Sequence, residues 1–147
     1  MWKSKNSIVL TQVFTYVLAA VLLAATIGSY WLLQWYFNLQ GRNMNLIVIL
    51  IPFYLCVPIG FIALALILKL LKNIRREEVF VESNVNVIRV FSWCFIYVGI
   101  VCFVAGFFYL PFFIIGGASL FMAAIMRVLK NVMQAAVEVK NENDMTV

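Results

Sequence analysis

Residues 73–94 read NIRREEVFVESNVNVIRVFSWC, an island of charge between two oily runs. Upstream, residues 46–71 carry one charge, Lys69; downstream, residues 85–109 carry only Arg89. A helix needs ~20 mostly apolar residues to cross the hydrocarbon core of a bilayer. Both flanks exceed that length. The island therefore reads as a polar elbow joining two membrane-spanning helices.

The whole composition points to the same solvent. The 147 residues are 65% hydrophobic and 12% charged, against roughly half and a quarter in a soluble domain. So much apolar surface cannot be hidden in a core this small, so the surroundings must be lipid. The net charge of +5 is then first a signature of membrane topology, which makes lipid the expected partner and gives no ground for direct nucleic-acid binding. Cys56, Cys94 and Cys102 lie in apolar runs at spacings that match no metal motif. They read as small, reduced, structural hydrophobes. There is no histidine, no paired-carboxylate arrangement and no Gly-rich phosphate loop. No enzyme, cofactor or metal site is expected.

Four apolar segments follow one another, at about residues 8–37, 46–71, 85–109 and 112–132. The first is too long for the ~7–15-residue core of a signal peptide, so it reads as a retained span. Arg127 and Lys130 interrupt the last turns of the fourth, where long basic side chains can snorkel to the interface. The predicted fold is all-α, a single domain over residues 1–147. It has four transmembrane helices in two hairpins, an elbow at 72–84 and a tail at 133–147. The second and fourth helices continue beyond the membrane.

Orientation follows from the cations. An inside N-terminus puts Lys3, Lys5, Lys69, Lys72, Arg75, Arg76, Arg89, Arg127, Lys130 and Lys140 on the cytoplasmic side and leaves only Arg42 outside. Both termini and the elbow are therefore expected in the cytosol. Lys69, Lys72, Arg75 and Arg76 would meet the anionic inner leaflet, each worth on the order of 1 kcal/mol. Outer turns are expected at NLQGRNMN and YLP, with Pro111 opening the fourth helix.

Packing in lipid depends on close backbone approach and polar contacts. Ala20, Ala24 and Gly28 form a small-residue stripe on the first helix, Gly60 and Ala63 share a face on the second, and Ser119 and Ala123 do so on the fourth. Pro58 with Gly60, near the middle of the second span, is a candidate kink. Its simplest reading is a static bend that fits neighbouring helices. Ser83 or Asn84 is suited to cap the third helix, and Phe80 is expected to pack against the inner end. Arg89 is expected to snorkel or to pair with Glu78, Glu82 or Glu138. Ile125, Leu129, Val132, Ala136 and Val139 suggest a seam of coiled-coil type on the fourth helix, to be covered by the second helix or by a partner.

Two stretches carry a family resemblance. Phe80, Asn84, Ile88 and Arg89 fit a Phe-x-x-x-Asn-x-x-x-[Ile/Leu]-Arg motif opening the third helix. Glu142, Asn143, Asp144, Thr146 and Val147 fit a C-terminal motif, with Met145 where Leu or Ile is usual. The chain resembles short four-span bacterial membrane proteins classed as a domain of unknown function. That resemblance implies an inner-membrane protein without assigned activity. Members are often encoded beside small helix-turn-helix regulators, which suggests a membrane-tethered control role.

Three functions are weighed. The leading one is a non-enzymatic membrane protein whose cytoplasmic face binds a protein, for example a helix-turn-helix regulator, through Phe80, Asn84, Ile88, Arg89, Glu142, Asn143 and Asp144. A small transporter is the second, although no span carries an ionisable residue at its centre. An immunity or assembly subunit of a membrane complex is the third. A homo-oligomer is compatible with all three.

Overall fold

The structure, a computed structural model, describes residues 2–43 and 45–146, with side chains for residues 5–43 and 45–145. The side chains of Lys3 and Thr146 and the whole of Val147 lie outside the described residues. Among those residues there are four helices: α1 (Trp2–Gln40), α2 (Ile47–Arg75), α3 (Glu82–Ala105) and α4 (Pro111–Thr146). Each is long and apolar enough to cross a membrane. At 1.5 Å per residue even α3 reaches ~36 Å, more than the ~30 Å hydrocarbon core. α1 and α4 reach ~58 and ~54 Å and must project beyond it.

Local chemistry sets the ends. α1 stops at Gly41, whose φ of +65° is the left-handed conformation that terminates helices. The next amide, Arg42 N, closes back onto Phe37 O at 3.2 Å. α4 opens on Pro111, whose missing N–H has no helical acceptor to lose there. α3 ends at Ala105, four residues before its apolar run does, because Gly106 begins the turn. Pro52 and Pro58 both sit inside a continuous α2.

The helices pack in chain order. α1 lies on α2, α2 on α3 and α3 on α4, and among the described residues no other pair of helices makes contact. The α3–α4 pairing is much the most extensive. There the backbones nearly touch. A Cβ added to Gly116 would sit 2.8 Å from Phe103 N and 3.0 Å from Gly99 O, and one on Gly99 would sit 2.7 Å from Leu120 side-chain atoms. Ser119 Oγ donates to Phe95 O at 2.8 Å, and Ser119 and Ala123 are both buried. The predicted small-residue stripe of α4 is thus a packing face, with Gly116 as its unpredicted start.

α1 is held differently. The Tyr54 hydroxyl donates to Thr26 O at 3.0 Å and lies 2.7 Å from Ser29 Oγ. Its one proton being committed, the serine is the donor of that second bond. Leu22 Cδ2 lies 3.1 Å from where a Cβ on Gly60 would be. The Ala20/Ala24/Gly28 stripe is not the contact: Ala20 and Ala24 are exposed, and nothing lies within 4 Å of a Cβ built on Gly28.

These antiparallel pairings give the molecule two ends. The loop end holds residues 41–43, 45–46 and 106–110. The elbow end holds residues 76–81, the start of α1 and the end of α4.

Candidate functional site

Charge is distributed by end. Among the described residues, Arg42 is the charged side chain of the loop end. The other charged side chains lie in the elbow-end portions of the helices or in the elbow itself, except Arg127, which sits near the middle of α4 over Trp93. Lys69, Lys72, Arg75 and Arg76 are exposed on the last turns of α2 and just beyond.

The elbow is built around one amide. α2 closes with Glu77 at φ 63°, where Glu77 N reaches Ile74 O (3.0 Å) and Glu78 N reaches Asn73 O (2.9 Å). A non-glycine residue there costs ~1–2 kcal/mol. Asn84 has no exposed surface. Its Nδ2 donates to Glu78 O (2.9 Å) and Val79 O (2.8 Å), and its Oδ1 accepts from Asn73 Nδ2 (2.8 Å). One side chain therefore ties the end of α2, the elbow carbonyls and the start of α3.

That arrangement corrects the expected cap. α3 begins after Val81, which makes no side-chain cap bond. Asn84 lies inside the helix, and its amide is spent on carbonyls the elbow would otherwise leave unpaired. Asn73 is the partner that the sequence did not announce. An isolated asparagine in a run of basic residues gives no local signal of a contact eleven positions away.

The other predicted residues separate into buried and exposed groups. Ile88 is buried beside Val85 and Val87 and supports the packing. Phe80 leaves 48% of its surface exposed, more than docking against the bundle would leave. Arg89 is half-buried and donates from Nη1 to Asn86 Oδ1 at 3.1 Å, not to Glu78, Glu82 or Glu138. Glu142, Asn143 and Asp144 are exposed on the last turns of α4. Pro58 is exposed, whereas Gly60 faces Leu22.

The predicted seam on α4 is rotated from the face that packs. Gly116, Ser119, Ala123 and Val137 are the buried positions, and of the predicted seam only Ile125 and Ala136 are half-buried. Leu129, Val132 and Val139 are 45%, 62% and 57% exposed, and Val128 is 62% exposed. Arg127 spreads over the Trp93 ring, 4.7 Å from its centroid, which gives a cation near the membrane a favourable neighbour on α3. Extended from the Ser119–Phe95 and Arg127–Trp93 contacts, the α3–α4 register puts Val137 about level with the start of α3. Residues 138–146 therefore overhang it by about 13 Å.

Among the described residues no group of three or more His, Cys, Asp or Glu side chains comes together. The elbow end instead presents an exposed basic rim, the half-exposed Phe80 and an overhanging helix with an apolar row. Residues 9–147 match the family described as "Protein of unknown function (DUF2975)". The chain belongs to this family. The match takes in the elbow, the tail and all four helices, so the DUF2975 unit is the whole four-helix arrangement. No curated protein and no solved structure matches the chain.

Proposed function

We propose that the protein is a non-enzymatic adaptor of the bacterial inner membrane whose elbow end faces the cytosol and binds a cytosolic protein. The observation that carries this reading is the α4 overhang. Past Arg127 and Lys130, α4 keeps an apolar row in the open, with Val132 alongside α3 and Val139 in the overhang itself. It is flanked by the exposed Glu138 and Lys140. Lipid can cover such a row only within the membrane, and beyond it an amphipathic helix face suits the groove of a partner. The orientation rests on the ten-to-one division of cations. A small DNA-binding regulator is the partner class that the family resemblance favours.

The experiment is an in-cell photocrosslink from residue 132 or 139, read by mass spectrometry. A cytosolic protein that is captured there and lost in the V132D/V139D double variant supports the reading. Capture of lipid alone overturns it. So does cleavage of the elbow by protease added outside intact cells. Phe80→Ala and removal of residues 141–147 then test whether elbow and tail share the contact.

A further inference from the structure

α2 and α3 form the seam between the two hairpins, and they are joined near both ends. At the elbow end the joint is the Asn73–Asn84 contact. Moving away from it by roughly five turns along each helix, ~26 Å, leads to Cys56 on α2 and Cys102 on α3. The antiparallel register alone puts these two cysteines at one level. Both line one groove of the helix surface, and both are free. Cys94, the third cysteine, does not line it.

Beside the pair is a groove of about 410 Å³ that both thiols line, together with Pro52, Phe53, Tyr109 and Phe112. Its wall is apolar and aromatic, and it lies between helices that span the lipid. Water-soluble oxidants partition poorly into such a place. A flat, uncharged, lipid-soluble ring with carbonyl acceptors suits it.

We propose that Cys56 and Cys102 are a dithiol site that a lipid-soluble quinone, entering this groove, oxidises to a disulfide bridging α2 and α3. The step balances without other reactants. Two S–H bonds break and one S–S bond forms, while two electrons and two protons pass to the quinone oxygens and give the hydroquinone. Reactants and products are all neutral, so no charge is stranded in the hydrocarbon. The bridge fixes the two hairpins against each other at the end opposite the elbow. This inference does not depend on partner binding.

The test uses the full-length protein, reduced and reconstituted in phospholipid vesicles. A short-chain ubiquinone analogue is added, free thiols are alkylated, and the digest is mapped by mass spectrometry. The expected product is a Cys56–Cys102 linked peptide with Cys94 alkylated, and hydroquinone formed in equal amount. Cys56→Ser and Cys102→Ser should each abolish hydroquinone formation, whereas Cys94→Ser should leave it intact. Mapping of the wild-type chain needs no variant to fold. Bridging that involves Cys94, or three alkylated thiols after quinone treatment, overturns the proposal. If the small oxidant diamide closes the pair and the quinone does not, quinone as the oxidant is overturned.

Discussion

The two hairpins are made of similar oil and are held together by different means. In α3–α4, Gly99 and Gly116 let the backbones meet, and Ser119 bonds across to Phe95 O. In α1–α2, contact narrows to the Tyr54 hydroxyl with Thr26 and Ser29, plus Leu22 over Gly60. Most of α1 remains available to lipid. Leucine and isoleucine gain nothing by exchanging lipid for another helix, so apolar content does not rank the two interfaces. Close approach and shared hydrogen bonds do.

The largest effect should come from putting a side chain where the backbones meet. Gly116→Leu collides with Phe103 N and should cost about 3 kcal/mol, measured as detergent-resistant folding against added SDS. The same change at Gly28 meets nothing and should stay within about 0.5 kcal/mol. Equal losses at the two sites would erase the distinction between the hairpins.

Asn84→Ala tests the joint between them. It leaves two elbow carbonyls and the Asn73 amide short of a partner and should cost about 2 kcal/mol. The loss should appear first as faster proteolysis between residues 73 and 84. A smaller change is expected at the α1 clasp. Tyr54→Phe removes the hydroxyl shared by Thr26 and Ser29 and should cost about 0.6 kcal/mol, typical of polar contacts between helices in membranes. Glu77→Gly should act in the other direction. Relief of the left-handed strain outweighs the added flexibility of the unfolded chain by about 0.5 kcal/mol, visible as a modest rise in SDS resistance.

Much of this architecture was legible in the residues because a bilayer demands a fixed length of oil. That one requirement yields four spans, two hairpins and an elbow. It does not say which side of a helix meets another helix. In water, an apolar row marks the packed face; in lipid, both faces are apolar. Leu129, Val132 and Val139 therefore read as a seam although they lie exposed, and Ala123 and Val137 lie against the neighbours. Small residues are a better guide only where the partner offers a matching depression. Ser119 and Ala123 find one on α3, and Ala20 and Ala24 do not.

The site was harder to read for a related reason. Asparagine near a helix start favours capping, and that local rule pointed Asn84 at its own helix. Its real acceptors, Glu78 O and Val79 O, exist only once Glu77 has turned the chain. Asn73, at the close of α2, completes the set. The Glu142–Asp144 segment was identifiable as surface because nothing in its composition asks for burial, whereas Phe80, an apolar ring expected to dock, leaves 48% of its surface open.

The serial order of contacts bears on how the chain is made. Among the described residues every helix touches only its neighbours in sequence, so each pairing can close as soon as the next span leaves the translocon. No early helix waits for a late one. A nascent chain halted after Arg75 already contains everything the first hairpin requires, and the tightest pairing is left to the final segment. Assembly can therefore keep pace with synthesis, and release of α4 is the event that closes the α3–α4 pairing.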